Sequence, residues 1–93
     1  MRQLPDNNTL IDRYYAYLLL ERGLSANTAE AYREDVRKLT GFAEAEGLNL
    51  NEIVLADLQH FASAIYDLGI SPRSLARIIS VTKSFFKWLK SEN

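Results

Sequence analysis

Five cations stand in the stretch Ser71–Asn93, SPRSLARIISVTKSFFKWLKSEN, against a single acid, Glu92. At about 100° per residue the stretch separates into two sides. Leu75, Ile78, Ile79, Thr82, Phe85, Phe86 and Leu89 fall on one. Arg73, Arg77, Ser80, Lys83, Ser84, Lys87 and Lys90 fall on the other. Guanidinium and ammonium groups reach phosphate oxygens, and small hydroxyls between them let a helix approach a phosphate backbone closely. A helix with such a face suits a polyanion. A merely solvated outer face would carry the same residues, so the stripe alone does not choose between the two.

Other chemistry has too few parts. There is no cysteine and one histidine, His60, on a polar side. That leaves no thiolate metal site, no His-rich ligand set and no Ser/His/Asp or Cys/His constellation. The tyrosines of the first helix, Tyr14 and Tyr15, have no basic cluster around them, so packing with a polar tip is the expected use. No glycine-rich phosphate loop is present. No catalytic residue, metal or cofactor is expected. Asp35 is the odd acid, because helical phase puts it on an apolar side with Ala31, Leu39 and Phe42. A carboxylate there must be paired, and the expected partner is an Arg or a hydroxyl on a neighbouring helix.

Four helices must position these residues. Met1–Asn7 reads as a flexible tail, with Pro5 delaying the first helix, and residues 8–93 as one helical domain. Asn8 or Thr9 is placed to cap a helix running to about Arg22, with Ile11, Tyr14, Tyr15 and Leu18 inward. Gly23 closes it, and Leu24 is expected to pack across the corner. Ser25 or Asn27 opens a second helix. Its start, with Ser25, Asn27 and Thr28, offers amides that hold a phosphate or simply a cap. Tyr32, Val36, Leu39, Phe42 and Ala43 form its apolar stripe, and Arg33, Arg37 and Thr40 lie to one side. Gly41 in mid-helix suggests a neighbouring backbone passing close. Gly47 stops this helix. A third begins near Leu55–Asp57 and ends at Gly69, with Leu58, Phe61, Ala62, Ile65 and Leu68 inward. Ser71 caps the fourth and Pro72 takes its first position.

Ninety-three residues make one all-α domain with a core of its own. No apolar run approaches the roughly 20 residues that span a bilayer, and no signal peptide is visible, so a cytoplasmic location is expected. The net charge is −1. That average hides a division: residues 39–70 carry five acids and no Lys or Arg, whereas residues 71–93 carry five bases and one acid. Such asymmetry gives one face a positive potential on a near-neutral molecule.

Two segments at this separation resemble a known pattern. Glu21-Arg22-Gly23-Leu24-Ser25-Ala26-Asn27-Thr28 followed by Tyr32-Arg33-Glu34-Asp35-Val36 is similar to the start of the core-binding domain of tyrosine recombinases and phage integrases. Ser71-Pro72-Arg73-Ser74-Leu75-Ala76-Arg77, with Ser80, Lys83, Phe85-Phe86 and Leu89, resembles that domain's last helix, and the spacing is nearest to Xer-type members. The resemblance implies a four-helix SAM-like bundle of two crossed helix pairs. It implies a partner, the major groove of a duplex recombination site, clamped on one face while a separate C-terminal catalytic domain clamps the other and further recombinase protomers assemble on the DNA. The contacts it implies come from Ser25, Asn27, Thr28 and Arg33 on the second helix. The fourth helix adds Arg73, Ser74, Arg77, Ser80, Lys83 and Lys87. The family's catalytic residues lie in the C-terminal domain and have no counterpart in these 93 residues.

Two readings compete with DNA binding. One is a helical adaptor for protein partners, whose stripe is only solvated. The other is a membrane-surface helix bearing Phe85, Phe86 and Trp88. Those aromatics are expected in the core instead, because without the fourth helix the other apolar stripes have too little to pack against. For Arg77, the neighbouring serines favour a phosphate contact over a base edge.

Overall fold

The computed structural model describes residues 5–92. It contains four α-helices: α1 (Asn7–Leu20), α2 (Ala26–Ala45), α3 (Leu55–Asp67) and α4 (Pro72–Glu92), with one 3-10 turn at Leu50–Glu52 before α3. They form an all-α bundle of two helix pairs, α1 with α2 and α3 with α4, and α4 also packs along α2.

Asp6, not Asn8 or Thr9, caps α1. Its backbone is extended and its carboxylate accepts the amide of Thr9 at 2.9 Å. That hydrogen bond holds the Asp6 carboxyl below the usual carboxylate range. Pro5 stands before the helix as expected, but the helix starts at Asn7, inside the expected tail. A proline forbids only its own amide and steers the chain toward an extended cap, so the helix starts two residues later with Asn7. Asn7 reaches Glu44 near the end of α2 at 2.8 Å, so α1 and α2 run antiparallel. The first four residues of the expected tail lie outside the described residues.

The turns are built at glycine. Gly23 has φ +65, past the end of α1 at Leu20, and the Leu24 amide closes the corner on the Leu18 carbonyl at 3.0 Å. Leu24 packs against the core as expected. Gly47 has φ +70, and the Leu48 amide returns to the Ala43 carbonyl at 2.8 Å, the 6→1 bond of a Schellman close. A side chain at either glycine would strain the left-handed backbone.

The core joins Leu10, Ile11, Tyr14 and Leu18 of α1 to Val36, Leu39 and Ala43 of α2, Phe61 and Ile65 of α3, and Ile78, Val81, Phe85, Trp88 and Leu89 of α4. The ring of Tyr14 meets Phe85 edge-on at 5.2 Å and Trp88 at 5.4 Å. Phe85 and Trp88 are therefore core, and Phe86 is half-buried against it, which removes the membrane-surface reading of α4. Among the described residues no helix is long and apolar enough to cross a membrane.

Three expectations are corrected, and one core residue is added. Val81, in neither helical set, is buried because α4 is covered by more than one neighbour and its inner face is broad. Leu68 is 74% exposed, since α3 ends at Asp67 and the chain turns away before Leu68 reaches the core. Thr40 is buried, not lateral, its hydroxyl donating to the Arg37 carbonyl at 3.1 Å. Gly41 faces open space, with nothing within 4 Å of an added Cβ, so no backbone passes there.

Candidate nucleic-acid interface

The α4 stripe begins at its cap. The Ser71 hydroxyl accepts the amide of Ser74 at 3.3 Å and Pro72 takes the first helical position, as its sequence requires. From there Arg73, Arg77, Ser80, Lys83, Lys87 and Lys90 are all exposed along one side, with Ser74 half-buried at the head. Among the described residues no carboxylate pairs with Arg73, Lys83, Lys87 or Lys90.

Ser84 leaves this stripe. It is half-buried and hydrogen-bonded at 3.0 Å to the hydroxyl of Tyr14. Tyr14 is fully buried, and a phenol in that position requires a partner. Burial raises its pKa, opposed by the bond to Ser84.

The α2 candidates are mostly engaged within the protein. Ser25 caps the helix: its hydroxyl accepts the Thr28 amide at 3.2 Å and donates to the Thr28 hydroxyl at 3.0 Å. Asn27 is exposed beside them. Arg33 pairs with Glu30 at 2.6 Å, and its guanidinium lies 4.1 Å over the ring of Tyr15. The hydrogen bond to Glu30 raises the Arg33 pKa further. Arg37 pairs with Glu34. Arg33 thus faces Tyr15 on α1, and the structure does not bring it together with the α4 cations.

What joins α2 to α4 is Asp35. Its carboxylate is 0% exposed and accepts two hydrogen bonds from Arg77, from Nε at 2.8 Å and from Nη2 at 3.0 Å. This is the partner expected for a carboxylate on an apolar side. That the partner is itself a stripe residue was not visible, because helical phase places each residue on its own helix but not across two. Asp35 raises the Arg77 pKa, chiefly through this bond. The Arg77 side chain stays 44% exposed, so it remains partly at the surface while its partner is buried.

Beside the stripe lies an apolar groove lined by Leu50, Ile53, Leu55, Leu58 and Phe86, with Lys83 and Lys90 at its edge. His60 is exposed, and its ring lies in a T-shaped contact with that of Phe42, centroids 5.6 Å apart. Among the described residues no group of His, Asp and Glu gathers as metal ligands would.

A four-helix bundle with a basic last helix defines a class, and the family comparison agrees. Residues 11–93 match the family of phage integrase N-terminal SAM-like domains, and the chain belongs to it. Its relatives are named tyrosine recombinases. Tyrosine recombinase XerC of Xanthomonas campestris pv. campestris is 38% identical over 80 residues, covering 85% of this chain and 25% of that protein. Tyrosine recombinase XerD of Staphylococcus saprophyticus is 37% identical over 86 residues, 91% of this chain and 29% of the relative. XerD of Proteus mirabilis is 36% identical over 87 residues, 94% and 28% respectively. The chain therefore spans under a third of the length of these relatives. No solved structure matches it.

Proposed function

We propose that this chain is the DNA-binding N-terminal domain of a site-specific tyrosine recombinase. It grips one face of a duplex recombination site through the major groove, with α4 as the principal contact and the start of α2 beside it. Strand cleavage belongs to a separate C-terminal catalytic domain, and further protomers assemble on the same DNA. The observation that carries this reading is the row Arg73, Lys83, Lys87 and Lys90, cations that no acid of the described residues neutralises, on a domain whose relatives are recombinases. Uncompensated cations displace counterions from a duplex, which makes binding fall steeply with salt. With a net charge of −1, the domain alone binds weakly, and a covalently joined catalytic half supplies affinity through effective concentration.

The test is titration against duplex DNA at several salt concentrations, with the domain joined to a catalytic half if its own affinity is too low. Affinity should fall linearly on a log–log salt plot. Binding that is absent in both forms, or indifferent to salt, would remove the reading. A second reading, a docking module for another protein, is favoured by the groove beside α4 and by Val54 and Leu55, which are 60% and 70% exposed at its mouth. It would take the lead on that result.

A further inference from the structure

We propose that Arg77 is a specificity-determining residue that reads the acceptor edge of one guanine, and that Asp35 is the positioning residue that aims it. This rests on the DNA-binding reading above and goes further by assigning one base contact.

The geometry of the pair decides which part of Arg77 is free. Asp35 occupies Nε and one hydrogen of Nη2, the side-on edge of the guanidinium. A guanidinium has five N–H donors in a fixed plane. The remaining parallel pair is the end-on edge, one hydrogen each from Nη1 and Nη2. Nη1 has no partner among the described residues. Asp35 is wholly buried and the Arg77 side chain 44% exposed, so the edge that Asp35 occupies is turned to the protein and the end-on edge is the one left for a ligand. A fork held in one orientation by a buried carboxylate loses little further freedom on binding, which favours planar two-point recognition.

Charge argues against a phosphate as its target. Attraction to phosphate comes largely from net positive charge and counterion release. The Asp35 carboxylate cancels the charge of Arg77 locally, whereas Arg73, Lys83 and Lys87 along the same side keep theirs. Those cations fit backbone positioning. The Arg77–Asp35 pair offers directional donors without net charge, and the O6 and N7 acceptors of guanine in the major groove match two parallel N–H groups. Its exposed neighbours Ala76 and Ser80 are small, so the helix can come near enough for the fork to reach a base edge. The pair thus reverses the weighing that the serines alone suggest.

The experiment uses a library of duplexes with a randomised central segment, selected on the parent, Arg77→Lys and Asp35→Asn, then sequenced. Selected duplexes are titrated at several salt concentrations. Arg77→Lys keeps the charge and one bond to Asp35 but not the planar fork. Asp35→Asn keeps the volume and frees the aim. Circular dichroism establishes that each variant is folded at the temperature used, and Arg77→Lys carries the test if Asp35→Asn is not. The expected result is a parent preference for G at one position that relaxes roughly tenfold in the variants, with the Arg77→Lys salt slope unchanged. An unchanged motif in folded variants would make the pair a structural tie only and overturn the proposal. A uniform loss across all duplexes with a shallower salt slope would make Arg77 a phosphate contact, also overturning it. If the parent binds no duplex at any salt, the DNA-binding reading itself falls and takes this one with it.

Discussion

The hydroxyl of Tyr14 on α1 lies 3.0 Å from that of Ser84 on α4, a bond between residues 70 apart that fastens two helices not adjacent in the chain. Ser84→Ala strands a fully buried phenol, at a cost of about 1–3 kcal/mol in thermal or urea unfolding. Tyr14→Phe combined with Ser84→Ala should recover part of that loss, because both polar partners are then gone.

The same phenol fixes a pH dependence. Burial raises the Tyr14 pKa above its ordinary 10.0, so the folded protein holds that proton when the unfolded chain has released it. The stabilisation is complete below pH 10 and is lost as pH rises through the folded value. Above pH 10 the parent should lose stability faster than Tyr14→Phe, and unfolding curves at stepped pH for the two proteins check this.

The ion pair between α2 and α4 is unequal, because Asp35 is fully buried and Arg77 is partly at the surface. Arg77→Ala leaves a buried carboxylate without its cation and should cost about 3–5 kcal/mol. Asp35→Ala leaves a guanidinium that can turn to water, at about 1–3 kcal/mol. Denaturant titrations that rank the two variants the other way would contradict the burial.

The adjacent phenylalanines of α4 should respond differently. Phe85 is 0% exposed, and Phe85→Ala should cost about 3–5 kcal/mol. Phe86 is half-buried at the apolar groove, so Phe86→Ala should cost roughly half as much by its smaller buried area. Equal shifts in thermal midpoint would mean that the inner face of α4 is misplaced.

For DNA, each of Arg73→Ala, Lys83→Ala and Lys87→Ala should lower the salt slope by about one unit and weaken all sequences alike. Arg37→Ala should change the slope less, because Glu34 already pairs that guanidinium. If the three α4 variants bind as the parent does, the stripe is a solvated face.

Much of the fold is legible wherever one residue type answers a local need. Ser71-Pro72 starts α4, Gly23 and Gly47 close α1 and α2, and an acid in the apolar phase of α2 finds the partner it requires. What escapes depends on neighbours. A helical wheel gives phase but not the width of the buried arc, so it does not place Val81 or Thr40 in the core, where both lie. Ser84 looks like any exposed serine until Tyr14 is placed opposite it. The stripe of cations reads directly from spacing. That Arg77 is already neutralised does not, since Asp35 reaches it from another helix, whereas Glu30 and Arg33, three apart on α2, pair as their spacing alone suggests.

The core side chains of α4, from Ile78 to Leu89, are also the last to be synthesised among those that fill the bundle. While a ribosome is still translating, α1 and α2 can pair, but Tyr14 has neither Phe85, Trp88 nor Ser84 to close over it. Folding to the native packing therefore waits until Leu89 has been synthesised and has left the ribosome, and until then the apolar faces of the earlier helices stand open to chaperones and proteases.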